Sequence, residues 1–221
     1  GLPTGEISIP VGPLLAMGGR TKVVIEGKAG HAAEPHTSND AVVAAGQFIV
    51  AVQTAISRST DPIESAVLTL GTIHGGESSN QIAGRVELMG TIRSYKMDVR
   101  NRLEAAIRRI AAGVGEAFGV TISVEIAAPG RPCINPQREA AIALEAARAA
   151  GLSIVTPLPP SMGGDDFGFL MEQRPACYVR IGNGIAHGDL HSDSYDFDDG
   201  LLPASVGWYT SVARTALVTE D

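Results

Sequence analysis

Histidines and carboxylates concentrate in a few glycine-rich loops of this 221-residue chain. Segment 187–193 reads HGDLHSD and places two imidazoles and two carboxylates within seven residues. Neutral imidazole with carboxylate is a ligand set that suits Zn, Mn or Ni. Two loop histidines four residues apart are also common as solvated side chains, and a catalytic zinc needs about three protein ligands. No second strong ligand cluster is evident in the sequence.

Two further side chains have types and positions that suit substrate binding. His31 lies in segment 27–36 (GKAGHAAEPH), between a predicted strand and a predicted helix, where it could donate to a developing oxyanion. Arg93 lies on a predicted strand and could clamp a substrate carboxylate. An exposed loop histidine and an edge-strand charge explain the same two positions. The glycine loop at 75–80 lacks the lysine and the spacing of a phosphate-binding loop.

Hydrophobic spacing predicts the elements that must position these loops. Strands are predicted from β-branched runs and alternation, and helices from apolar residues at helical spacing. In chain order they are a strand at 21–26, a helix from Asn39 or Asp40 to 58, strands at 66–73 and 85–94, a helix at 99–118 and a strand at 121–126. This βαββαβ order over 20–126 is the ferredoxin-like pattern.

The rest of the chain has a different character. Residues 1–19 are rich in Gly and Pro and are predicted to be a connection. After 127 the pattern predicts a helix at 137–150, short strands at 154–155 and 176–181 and a helix at 201–217, with Asp165 or Asp166 capping a short helix. Such alternation is typical of an α/β layer. Two strands are too few for independent stability, so we expect part of a larger sheet.

Composition excludes several function classes. The formal net charge of −7 argues against a nucleic-acid partner, which requires a basic face. No apolar run approaches the roughly 18 residues of a membrane span. Cys133 and Cys177 form no C-x-x-C pair and are predicted to be free thiols of a cytoplasmic protein.

Taken together, several stretches resemble the M20 family of metallopeptidases. The resemblance is closest to the amidohydrolase branch of hippurate, N-acyl-amino-acid and indole-acetyl-amino-acid hydrolases. The matching stretches stand in family order as GLPTG at 1–5, GKAGHAAEPH at 27–36, GG at 75–76, NQI at 80–82, GTIR at 90–93, GGDDF at 163–167 and LHSDSYDFDD at 190–199.

The resemblance implies a fold and a set of site residues. The fold is α/β (α+β), with a ferredoxin-like lid that dimerises and is inserted in a partial α/β metallopeptidase catalytic domain. Residues 1–19 would lead into the lid, 20–126 would form it, and 127–221 would be the C-terminal part of the catalytic domain. The implied roles are a metal ligand at His191, a catalytic histidine reaching the partner's active site at His31, and substrate contacts at Asn80, Arg93, Gly163 and Gly164.

The expected function is hydrolysis of the amide of N-acyl amino acids, hippurate-like substrates, by a homodimer with two divalent ions, Zn or Mn or else Ni or Co. The family's Cys-Gly-His-Asp-x-His stretch and Glu-Glu pair do not occur in this chain, so we expect the chain alone to be inactive. A non-catalytic ferredoxin-like dimerisation or ligand-binding module remains the alternative. A regulatory small-molecule sensor would rest on the fold alone.

Overall fold

The structure is a computed structural model that describes residues 2–127, 130–186 and 188–218. It divides into two compact units. Unit 1 contains the described residues of Gly1–Leu15, Cys133–Ser161 and Asp165–Asp221, and unit 2 contains those of Ala16–Pro132 and Met162–Gly164. The unit boundaries fall at 15/16 and 132/133, where the sequence pattern predicts 19/20 and 126/127.

The elements follow along the chain in this order: β1 Glu6–Ser8, β2 Gly12–Leu15, β3 Met17–Glu26, β4 Gly30–His31, α1 Ala41–Val52, α2 Thr54–Ser57, β5 Ala66–Gly75, β6 Gln81–Ile82, β7 Arg85–Ser94, α3 Met97–Phe118, β8 Thr121–Ile126, β9 Cys133–Asn135, α4 Gln137–Ala149, β10 Ser153–Ile154, α5 Phe167–Gln173, β11 Arg180–Ile181 and α6 Leu201–Val218. None of these helices is long and apolar enough to cross a membrane.

Unit 2 is built on a four-stranded antiparallel sheet in the order β5-β7-β3-β8. β3 pairs with β7 over its whole length, from Met17 opposite Ser94 to Glu26 opposite Arg85. With α1 after β3 and α3 after β7, the chain order is βαββαβ, which confirms the ferredoxin-like prediction.

The two faces of this sheet differ because strand side chains alternate. One face packs against α1 and α3 around Phe48, which is fully buried, with Val23, Ile25, Leu88, Leu103 and Ile107. The other face, called the polar face below, carries the alternate residues of β3 and β7. Its polar and charged members are Arg20, Lys22, Glu26, Arg85, Glu87, Thr91 and Arg93.

The residues at the ends of the helices in unit 2 determine where those helices begin and end. The Asp40 carboxylate caps α1 by accepting from the backbone N–H of Val42 at 2.8 Å and of Val43 at 3.2 Å. The helix predicted to reach 58 is interrupted at Gln53, so that α1 and α2 are separate. α3 ends where Gly119 takes a left-handed backbone with φ 62°.

Unit 1 corrects the prediction that residues 1–19 are only a connection. β1 is the central strand of a three-stranded sheet, parallel to β10 and antiparallel to β11, and β2 pairs with β9. These strands have two to four residues, too short for alternation to be visible in the sequence. The predicted strand at 176–181 is reduced to Arg180–Ile181 for the same reason.

A buried amide and an indole hold unit 1 together. The Asn135 side chain donates to the carbonyls of Pro10 and Tyr178 and accepts from the N–H of Tyr178, so it satisfies three backbone groups. The Trp208 indole N–H donates to the Ala143 carbonyl at 3.2 Å and joins α6 to α4. Each side chain therefore links segments that are more than 40 residues apart in sequence.

Candidate functional site

His31 and Asn80 lie together on a two-stranded ribbon in unit 2. β4 pairs with β6, with His31 opposite Gln81, and the Ala32 N–H donates to the Asn80 carbonyl at 3.0 Å. Gly30 is needed here, because a Cβ at this position would collide with the Ser38 hydroxyl. The ribbon therefore brings together two residues that are 49 positions apart in the sequence.

Both ribbon side chains have their acceptor atoms engaged. The Ala33 N–H donates to Nδ1 of His31 at 3.1 Å, so the neutral imidazole carries its proton on Nε2. The Ser78 hydroxyl donates to Oδ1 of Asn80 at 2.5 Å, which leaves the amide Nδ2–H₂ as the donor. The ribbon thus offers two exposed N–H donors, the type of group that stabilises a carbonyl oxygen as it becomes negative.

Arg93 lies on the polar face, enclosed by two glycines. A Cβ built on Gly18 would lie 2.7 Å from Nη1 of Arg93, and one on Gly164 would lie 3.0 Å from it. The segment Met162–Gly164 is held there because the Ala16 N–H donates to the Gly163 carbonyl at 2.9 Å. The structure therefore brings Arg93, Gly163 and Gly164 into one cluster. A guanidinium held between backbone segments presents a fixed pair of donors that suits a carboxylate.

These two clusters lie at opposite ends of the same sheet. Arg93 is at one end of β7, and Arg85, eight residues earlier, is at the other, roughly 27 Å away at about 3.4 Å per residue. The ribbon is at the Arg85 end, where the Gly27 N–H donates to the Gly84 carbonyl at 2.9 Å. An N-acyl amino acid is about as long as two extended residues, ~7 Å. One such molecule cannot contact both clusters of one chain.

His191 belongs to unit 1 and has an unusual backbone. Its φ of 66° is the one positive value at a non-glycine residue in the part of the chain that the structure describes. The surrounding turn is fixed by Ser192, whose N–H and hydroxyl both donate to the Asp189 carbonyl. A left-handed backbone at an exposed non-glycine residue is uncommon and costs about 1–2 kcal/mol. His187 of the same predicted cluster lies outside the described residues.

We expect His191→Gly to be more stable than His191→Ala. Alanine keeps the left-handed strain of about 1–2 kcal/mol, whereas glycine removes it. The unfolded-state entropy of glycine offsets part of this, so the expected difference is about 1 kcal/mol, measured by urea unfolding. An alanine variant as stable as the glycine variant would contradict the strain.

The described residues do not by themselves form a metal centre. No group of three His, Cys, Asp or Glu side chains in the described ranges is arranged to hold an ion. Both cysteines are free, and burial raises the pKa of the Cys133 thiol, and likewise of the Cys177 thiol, to about 11. A protonated thiol is a poor ligand and a poor nucleophile. His191 alone does not fit a dinuclear metal site.

Sequence reasoning missed the residues that orient the predicted ones. The sequence pattern places Gly18 in a predicted connection, yet it lies directly opposite Arg93 in the sheet. Nothing in the sequence shows this without the strand register. The N-cap of α5 is Asp166, whose side chain makes no capping hydrogen bond, whereas the carboxylate of Asp165, one residue earlier, accepts from the Phe167 N–H at 2.8 Å.

Known proteins are similar to this chain over most of its length. The family model of the peptidase dimerisation domain matches residues 16–117. The N-acetyl-L-cysteine deacetylase of Bacillus subtilis is 34% identical over 221 residues, 100% of this chain and 53% of that protein. The N-acetyldiaminopimelate deacetylase of Oenococcus oeni is 34% identical over 206 residues, 93% of this chain and 54% of that protein. The chain thus spans about half the length of these relatives.

A solved structure shows the same fold. The YXEP protein of Bacillus subtilis, a dinuclear metal-binding peptidase from the M20 family, superposes with a TM-score of 0.81 at 27% identity. The match covers 99% of this chain and 55% of that protein. The motifs, the ferredoxin-like unit and these matches agree, and the chain belongs to the M20 family of peptidases and amidohydrolases, with a peptidase dimerisation domain at residues 16–117.

Proposed function

We propose that this chain is the substrate-binding and dimer-forming part of a metal-dependent amidohydrolase that deacylates N-acyl amino acids. The observation that carries the proposal is the pair of clusters on unit 2. One offers N–H donors for an amide carbonyl, and the other offers a guanidinium for a carboxylate. An N-acyl amino acid has these two acceptors, one on each side of its α-carbon.

The two clusters have separate tasks in the reaction. Nε2–H of His31 and Nδ2–H₂ of Asn80 stabilise the oxygen of the scissile carbonyl, whose negative charge grows as water attacks. Arg93 binds the substrate carboxylate and fixes the amide in register with those donors. The backbone of Gly163 and Gly164 keeps the guanidinium in place, since a side chain on Gly164 would press on it.

Because one chain cannot bring both clusters to one substrate, the site is assembled from two copies of the chain. His31 and Asn80 of one subunit would complete the site of its partner, which holds the substrate on its own Arg93. The matched dimerisation domain supports this arrangement. The distance of roughly 27 Å along β7 is the physical reason that it is needed.

The surface for this dimer is proposed on α1 and β5. α1 contains no charged residue, yet it leaves Val42, Val43 and Val50 exposed at 47%, 54% and 68%. β5 pairs only with β7 among the described strands, so its other edge is open to a second sheet. An exposed apolar helix face and an open strand edge are both surfaces of the kind that a second copy covers.

Metal chemistry would come with the complete enzyme. A divalent metal would activate the water, as the name of the dinuclear relative indicates for that protein. Here His191 would supply one ligand, and the described residues supply no further cluster. The identity of the ions, Zn or Mn among others, stays a prediction, as does a cytoplasmic location.

The relatives' names favour small acyl groups. Two of them are named for N-acetylated substrates, N-acetyl-L-cysteine and N-acetyldiaminopimelate. We therefore propose N-acetyl amino acids as the substrate class in preference to the hippurate-like compounds predicted from the sequence.

The test is to express the full-length protein encoded at this locus and to assay acetate release from a panel of N-acetyl amino acids, and benzoate release from benzoylglycine for comparison. Acetate release that requires added divalent metal is the expected result. An upstream coding region without metal-binding motifs, together with no turnover, would instead favour the non-catalytic dimerisation module.

A further inference from the structure

A cavity of about 350 Å³ opens on the polar face at the Arg93 end of unit 2. Its walls are Gly18, Gly19, Arg20, Gly90, Thr91 and Arg93. Half of these residues lack a side chain, so the cavity has a floor of backbone and a polar rim. A volume of this size accommodates one small organic anion.

The register of β3 and β7 places a second guanidinium at this cavity. Arg20 is directly opposite Thr91, and Gly18 is directly opposite Arg93. Arg20 and Arg93 are therefore diagonal neighbours on one face, with Cβ atoms about 7 Å apart. Because Gly18 has no side chain, nothing on β3 stands between Arg93 and the cavity. Both guanidinium groups and the Thr91 hydroxyl line the same space.

The two ends of the polar face differ in how their charges are paired. Towards the Arg85 end, Nζ of Lys22 is 3.1 Å from Oε2 of Glu87, and Nη1 of Arg85 is 2.9 Å from Oε1 of Glu26. Neither Arg20 nor Arg93 has a carboxylate within ion-pair distance among residues 2–127, 130–186 and 188–218. Two like charges beside each other on a sheet repel, and an anion bound between them relieves that repulsion.

We propose that Arg20 is a specificity-determining residue that binds a second acidic group of the substrate. This inference rests on the proposed function, in which Arg93 binds the substrate's α-carboxylate. Arg20 then selects N-acyl amino acids whose side chain ends in a carboxylate, because that group reaches the second guanidinium while the first is occupied. A neutral side chain of the same length finds no equivalent partner there.

The test compares N-acetyl-L-glutamate with N-acetyl-L-glutamine, which differ only in the charge of the side-chain end. Each is titrated into the 221-residue chain, and binding is followed by the NMR signals of the Gly18 and Thr91 amides. We expect Arg20→Gln to weaken N-acetyl-L-glutamate roughly tenfold, about the loss of one hydrogen bond to a charged group, and to leave N-acetyl-L-glutamine within about twofold. Arg85→Gln, on the same face but paired with Glu26, is the matched control and should change neither affinity.

The outcomes separate this inference from the proposed function. If Arg20→Gln weakens both probes equally or neither, Arg20 does not read the second acidic group and the inference is overturned. In that case an Arg93→Gln variant that weakens both probes still supports the carboxylate clamp of the proposed function. If Arg20→Gln and Arg93→Gln each leave both affinities unchanged, the inference and the proposed function are both contradicted. Amides of Gly18 and Thr91 that respond to neither probe show that the cavity is not an anion site.

Discussion

Mixing two inactive variants of the full-length enzyme is expected to restore about one quarter of the wild-type activity. The variants are His31→Ala, which removes a donor at the ribbon, and Arg93→Ala, which removes the guanidinium at the far end of β7. Loss of one oxyanion donor costs about 10²–10³-fold in kcat, and loss of a bidentate carboxylate contact costs on the order of 10²-fold in kcat/KM. Each variant alone is therefore nearly inactive.

Recovery follows from the separation of the clusters. In a mixed dimer one of the two sites takes His31 from the Arg93→Ala subunit and Arg93 from the His31→Ala subunit, so it is intact. Random exchange makes about half of the dimers mixed, and each has one intact site of two, which gives about one quarter. The measurement is the initial rate after the subunits have exchanged, as a function of mixing ratio.

The chain offers a matched control for this experiment. His31→Ala and Asn80→Ala alter the same ribbon, so no combination of these two subunits contains a complete ribbon beside a complete Arg93 cluster. Their mixture should stay at the level of the separate variants. Recovery in this control, or no recovery with Arg93→Ala, would show that the site is not shared between subunits in the proposed way.

A single carboxylate on α1 is expected to convert the protein to a monomer and to abolish its activity at the same time. Val50→Glu is the sharpest choice, because Val50 is 68% exposed and its replacement leaves the buried side of α1 around Phe48 untouched. Burying an unpaired charge in an interface costs about 3–5 kcal/mol, which raises the dimer Kd by roughly 10²–10³-fold or more.

Sedimentation velocity, the rate of acetate release and the thermal unfolding midpoint together test this prediction. The monomer should be folded yet as inactive as His31→Ala, since the ribbon then has no neighbouring substrate to serve. Ala112→Glu places the same carboxylate on an exposed position of α3 and should leave both the dimer and the activity unchanged. A folded, monomeric Val50→Glu enzyme with full activity would disprove the shared site.

The elements of unit 2 are predictable from the sequence because each carries its own local signal. β7 alternates apolar and polar residues from Arg85 to Ser94, and α3 repeats its apolar residues at spacings of three and four. Asp40 at the start of α1 and Gly119 at the end of α3 supply the caps. The strands of unit 1 carry no such local signal; the three residues of β1, for example, are too few to show a period.

The candidate site, like the fold, has a part that the sequence predicts and a part that depends on the tertiary structure. Residue types and spacing in the sequence identify His31, Arg93 and the loop that contains His191, and the family resemblance adds Asn80, Gly163 and Gly164. Whether they act together is a matter of distance, and distance depends on the strand register, which is set by side chains far apart in the chain. Only the tertiary structure shows that Gly18 faces Arg93, that the ribbon orients His31 and Asn80 as donors, and that about 27 Å of β7 separates the two clusters.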